Sequence, residues 1–166
     1  MAVSTIGAAT APATVLFPRK TAAAAPAAGK TSALSAADKK FIMAAAKGGM
    51  MEVAMGQMAA DKAQSLEVKK IGKMMVTDHT TANSELMAIA KARGVALNEK
   101  PTMGAWKSDK EYLAMMAKDH QKDLAEFQNE AQNGNDPELK KFASKTSAVI
   151  QRHLERVKGV QGKMKS

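Results

Sequence analysis

The chain has three histidines and no cysteine, so the side chains able to hold a metal or shuttle a proton are few and their spacing is informative. His79 closes a Met-Met-x-x-Asp-His stretch over residues 74–79, followed five residues later by Glu85 and Leu86. The same pattern returns 41 residues on, closing at His120 and followed by Glu126 and Phe127. His153 sits in a later helical pattern, among apolar positions. Glu52 falls inside the apolar stripe of the first helical segment. Three imidazoles with a carboxylate or water are a donor set for zinc, iron or copper, and four such ligands complete a tetrahedral site. Glu52, His79, His120 and His153 are therefore the candidate ligands of one divalent ion. Asp78 and Asp123, beside the same faces, are alternative ligands or acceptors for the imidazole N–H groups.

A single histidine on an apolar face is ordinarily a core residue bonded to a neighbour. That every histidine of the chain does this, on different helices and beside an inward glutamate, is less easily accidental. A metal-free network, with Glu52 on His79 and aspartates on the other rings, would also satisfy these groups. Other chemistry has little support. Thiolate sites, disulfides and cysteine nucleophiles are excluded by composition. There is no Gly-x-Ser-x-Gly elbow and no phosphate-cradling glycine loop. Di-iron carboxylate bundles need Glu-x-x-His, but Val76, Ala117 and Ile150 occupy the positions three before the histidines. Copper handling by methionine alone is disfavoured, because most of Met50, Met51, Met55, Met58, Met74, Met75, Met115 and Met116 fall on or near buried faces, where Met fills gaps.

Four amphipathic segments must position these residues, at about 35–62, 65–93, 107–132 and 136–160. Phe41, Ala45, Gly48, Met55 and Ala59 form the first stripe, with Ser35 as N-cap and Asp38 supplying negative charge to the first turn. Gly48 and Gly49 weaken that helix by about 1 kcal/mol each, which is consistent with a close helix contact, a bend being the alternative. Val68, Ile71, Met75, Ala82, Leu86 and Ile89 form the second stripe, stopped by Gly94. The third holds Leu113, Met116, Ala117, Leu124, Phe127 and Ala131, with His120 near its centre and Asp123 at its edge. Asp136-Pro137-Glu138 starts the fourth as N-cap, N1 proline and first-turn acid. The first two segments are separated by a short break and form a hairpin. Residues 95–106 could reach about 40 Å when extended, enough to cross the bundle lengthwise or simply to turn back. An aromatic-poor chain of 166 residues with this pattern reads as an all-α four-helix bundle over 36–164.

Residues 1–35 are different material. Met1 to Leu34 contain no acidic residue; the stretch from Ala2 to Phe17 resembles an export h-region, and Ala22–Ala25 offers small residues for cleavage. The basic n-region is missing. Export to the periplasm or outside is the preferred expectation, with a disordered tail or a transit peptide as alternatives. The net charge of +9 is spread over several segments without a recognised nucleic-acid motif, so no nucleic-acid partner is expected. No apolar run approaches the roughly 20 residues of a membrane helix.

The chain resembles the bacterial family known as domain of unknown function 4142 over about Asp38 to Val160. The resemblance runs through AKGGMMEV at 46–53, MVTDH at 75–79 with Asn83, Glu85 and Leu86, DHQKDLAEF at 119–127, DPELKKFA at 136–143, and His153-Leu154. It implies a ferritin-like bundle with a crossover second connection, and export, but no reaction. In that topology the second and third helices run parallel and the two Asp-His copies lie side by side. Three readings follow: a non-enzymatic exported bundle holding one zinc, iron or copper ion; a metal-free structural or stress-related envelope protein; and, last, a metal-dependent enzyme. A homo-oligomer is compatible with each.

Overall fold

The computed structural model describes residues 34–98, 100 and 104–164; most of the segment read as an export signal or tail lies outside them. Helices α1 (Ala36–Lys62), α2 (Leu66–Ala92), α3 (Asp109–Asn133) and α4 (Pro137–Lys163) account for most of the described chain. Local chemistry sets their ends. Ser35 and Asp38 form a reciprocal capping box at the start of α1. Ser108 caps α3 through the Glu111 amide, and this holds the helix start to Asp109, two residues later than the apolar pattern suggests. The Asp136 carboxylate accepts from the Glu138 and Leu139 amides at the start of α4, with Pro137 at N1. Gly94, at φ 69°, ends α2 in the left-handed conformation that a side chain would disfavour.

Three long-range contacts fix the topology. Asp109 accepts from the amides of Gln64 (3.1 Å) and Ser65 (2.7 Å), which places the start of α3 at the α1–α2 turn. Those bonds also cap α2, whose own Ser65 side chain makes no capping bond. At the opposite end Arg93, closing α2, pairs with Asp136 at 2.7 Å. Asp38, in the first turn of α1, accepts from the Asn135 amide at 3.0 Å. Residues 94–108 therefore join opposite ends of the bundle, and α2 and α3 run parallel. Val95 and Leu97 pack on the core at one end of this connection. At the other, Trp106 lies 5.5 Å from the Tyr112 ring.

Helix α1 packs chiefly on α2, and α3 on α4. The two hairpins then meet along α2 and α4, leaving the α1–α3 seam the sparsest of the four. Gly56 and Gly72 bring α1 and α2 together: a Cβ on Gly56 would come within 2.8 Å of the Gly72 carbonyl oxygen. Gly49 makes room for the Asn83 side chain, but a Cβ on its neighbour Gly48 would meet nothing within 4 Å. The contact expected of both glycines is thus made by Gly49 alone, because adjacent helical residues point about 100° apart.

The core has two apolar clusters. One gathers Phe41, Ile42, Leu86, Phe127, Phe142 and Ile150; the other gathers Met55, Ile71, Met75, Leu113, Met116 and Val157. Burying each such side chain contributes about 1.5–3 kcal/mol. Between the clusters lies a polar layer with one residue from each helix.

Candidate metal centre

The layer consists of Glu52 from α1, His79 from α2, His120 from α3 and His153 from α4, all buried. Each is flanked along its helix by residues of the two apolar clusters, so helical periodicity points it inward and the clusters on either side exclude water. The ring centroids form a near-equilateral triangle: His79 to His120 5.6 Å, His79 to His153 5.2 Å, His120 to His153 5.4 Å. One ligand nitrogen from each ring lies within 4.8 Å of the others. All three histidines and Glu52 are thus brought together.

The carboxylates organise the rings. Glu52 Oε2 lies 3.0 Å from His79 Nδ1. Its other oxygen, Oε1, lies 3.1 Å from His120 Nδ1, in contact but too bent for a hydrogen bond. Asp78, half-buried, meets His153 Nε2 at 2.8 Å, as expected of an acceptor behind the ring. Asp123 is near enough for its charge to act on His79, but it stands apart from the rings' bonding pattern.

An ionised carboxylate only accepts, so Glu52 favours a proton on His79 Nδ1 and Asp78 one on His153 Nε2. That leaves lone pairs on His79 Nε2 and His153 Nδ1, while His120, whose Nδ1 has no hydrogen-bond partner, can carry its proton on either nitrogen. His120 Nε2 and His153 Nδ1 face each other at 3.3 Å, within hydrogen-bond distance. His79 Nε2 is buried without a hydrogen-bond partner. Two nitrogens bound to one ion at about 2.0–2.1 Å in tetrahedral geometry are separated by about 3.3–3.4 Å.

Burial works to raise the Glu52 carboxyl, but the His79 bond and the three imidazoles hold it below the usual range. Burial opposes charge on His79 too, yet Glu52, with help from Asp123 and Asp78, lifts it above its ordinary value. Burial and the neighbouring imidazoles outweigh Glu52 at His120 and push it down to about 4. Burial likewise lowers His153 despite Asp78. Burial thus favours the neutral form of His120 and His153, the form in which imidazole binds metals, whereas His79 holds its proton more firmly and an ion must displace it.

The sequence profile of a family described as "Domain of unknown function (DUF4142)" matches residues 23–160. No curated protein matches the chain. Among solved structures, a DUF305 fragment from Deinococcus radiodurans aligns with a TM-score of 0.69 at 12% identity, covering 80% of this chain and 99% of that one. CopM in its Cu(I)-bound form aligns at 0.68 and 19% identity, covering 78% and 98%. A two-domain protein from Anabaena variabilis, with DJ-1/ThiJ/PfpI-like and ferritin-like domains, aligns at 0.63 and 14%, covering 89% of this chain and 45% of that one. These likenesses establish the fold, a ferritin-like helical bundle.

Proposed function

The chain belongs to the DUF4142 family, and on that footing we propose that it is a non-enzymatic bundle whose three buried histidines hold one metal ion. His79, His120 and His153 supply the ligating nitrogens. Glu52 bonds one of these rings and stands beside another, and Asp78 bonds the third, an outer set that orients the rings and raises ligand basicity. The observation that carries the reading is the convergence of three buried rings, one nitrogen of each within 4.8 Å of the others, beside a His79 Nε2 that has no hydrogen-bond partner. The 3.3 Å between His120 Nε2 and His153 Nδ1 is the separation of two ligands of one ion as well as of a hydrogen bond. Three imidazoles without thiolate suit copper, zinc or iron. CopM, which shares the fold, was solved in Cu(I)- and silver-bound forms, so copper is the first ion to try. We extend the reading to an exported protein, on the N-terminal composition alone.

The metal-free reading is supported by the Asp78–His153 bond and by the 3.3 Å contact of His120 Nε2 with His153 Nδ1, which together engage both nitrogens of His153. Against it, the buried His79 Nε2 is left without a partner. Elemental analysis of protein purified without a histidine tag decides between them. We expect about one ion per chain, lost in His120→Ala, and a melting temperature that rises when the ion is restored after chelation, because a ligand of the native state alone stabilises it. Absence of a bound ion together with an unmoved melting temperature would leave the metal-free network as the account of the site.

A further inference from the structure

The polar layer has two approaches, and they differ in charge. One is a crevice of about 120 Å³ between α2 and α4, reaching His79 past Asp78 and bordered by Glu85, Lys145 and Arg152. Lys145 occupies Glu85 at 2.7 Å, and Asp78 is engaged with His153. This side therefore balances two carboxylates, Asp78 and Glu85, against two cations, Lys145 and Arg152.

The other approach is the α1–α3 seam. A cavity of about 20 Å³ bounded by all four helices lies against Glu52 and His79, and on the side of this seam its walls are Ala44 and Gly48 of α1 with Asp123 and Glu126 of α3. That volume admits a single water-sized particle. Two polar atoms of the residues that bound it are buried without hydrogen-bond partners, Glu52 Oε1 and His79 Nε2. Its outer wall carries Ala44, which is exposed, and Gly48, which is half-buried. Gly48 has no steric need to be glycine, since a Cβ there would meet nothing within 4 Å. A helix-weakening residue with open space above it, on the wall of a cavity ending at a buried carboxylate and imidazole, is what a passage requires. Glu126 borders the cavity and shares Lys122 at 3.5 Å. Asp123, half-buried, borders the same cavity as Glu52.

Resting on the metal reading above, we propose that the ion reaches the histidines through the α1–α3 seam over Gly48, with Asp123 receiving it on the way. The seam is the sparsest of the four interfaces between neighbouring helices, so passage there disturbs little packing. Asp123 and Glu52 then form a two-step carboxylate path for a partly dehydrated cation, ending at the unpartnered His79 nitrogen.

The test is the kinetics of Co²⁺ uptake by the chelator-stripped full chain, followed by its visible ligand-field band. Gly48→Leu should slow uptake and chelator-driven release together, by about tenfold or more, leaving the equilibrium affinity nearly unchanged, because a plug alters both rates alike. Asp123→Asn should also slow uptake. Val149→Phe, which narrows the α2–α4 crevice, should leave the rate at the wild-type value. Should Gly48→Leu fail to fold, Ala44→Leu, one turn away on the same wall, carries the same expectation. A Gly48→Leu protein that fills at the wild-type rate, or a Val149→Phe protein that fills slowly, overturns the route while the metal reading stands. A wild-type protein that gives no His120-dependent band removes both.

Discussion

Glu52 offers one oxygen to each of two rings, at 3.0 Å and 3.1 Å, and a carboxamide cannot do the same. In Glu52→Gln one contact becomes N–H facing a ring nitrogen, so one imidazole must turn or change tautomer. The variant should fold and keep its three histidines, yet bind metal about 10–100-fold more weakly, the usual cost of losing an outer-shell partner. Competition titration against a chelator of known affinity reads this directly. Wild-type affinity in Glu52→Gln would show that the rings need no support. At this scale the convergence of Glu52, His79, His120 and His153 was legible, because helical periodicity points each one inward and their positions place them at similar heights. Which nitrogen faces which was not legible. That depends on rotamers and on the stagger between helices, so one carboxylate spanning two rings emerges only from the packed structure.

The helices themselves were the most legible part, since their starts and stops are written in local chemistry: the Ser35 capping box, Asp136-Pro137, and Gly94. Glycines within helices are harder to interpret, because composition does not say what lies across from them. Gly48 faces open space, whereas Gly56 faces the Gly72 backbone. Alanine at position 48 should therefore raise stability by up to about 1 kcal/mol, the intrinsic helix preference. Alanine at position 56 should lower it by about 1–3 kcal/mol, because a carbonyl at 2.8 Å must be pushed aside. Urea denaturation midpoints of the two variants should move in opposite directions; movement in the same direction would mean that the α1–α2 contact yields easily.

At the level of the whole molecule the path of the second connection could not be read from residues 95–106, whose length allows either course. The contacts that decide it pair residues more than 40 positions apart, Gln64 and Ser65 with Asp109, Arg93 with Asp136 and Asn135 with Asp38, and no local pattern carries such pairings. The end of the bundle where Asp38 is buried also carries a pH dependence. There Glu130, mainly through burial and then the charge of Asp38, to which it hydrogen-bonds, is raised to about 7. The folded chain thus holds a proton that the unfolded chain gives up at an ordinary glutamate value. The stability Glu130 contributes is complete below that ordinary value and is lost as pH rises through about 7. Between pH 5 and 8, in chelator, the wild type should lose melting temperature relative to Glu130→Gln. The comparison cancels Asp123, also raised to about 7, and a difference independent of pH would count against the assignment. The polar layer is shared evenly between the two hairpins, Glu52 and His79 from one, His120 and His153 from the other. An ion held there acts as a rivet that can be set only after both halves have docked. It would then prolong the lifetime of the native state, while folding from the unfolded chain proceeds at its unaided pace.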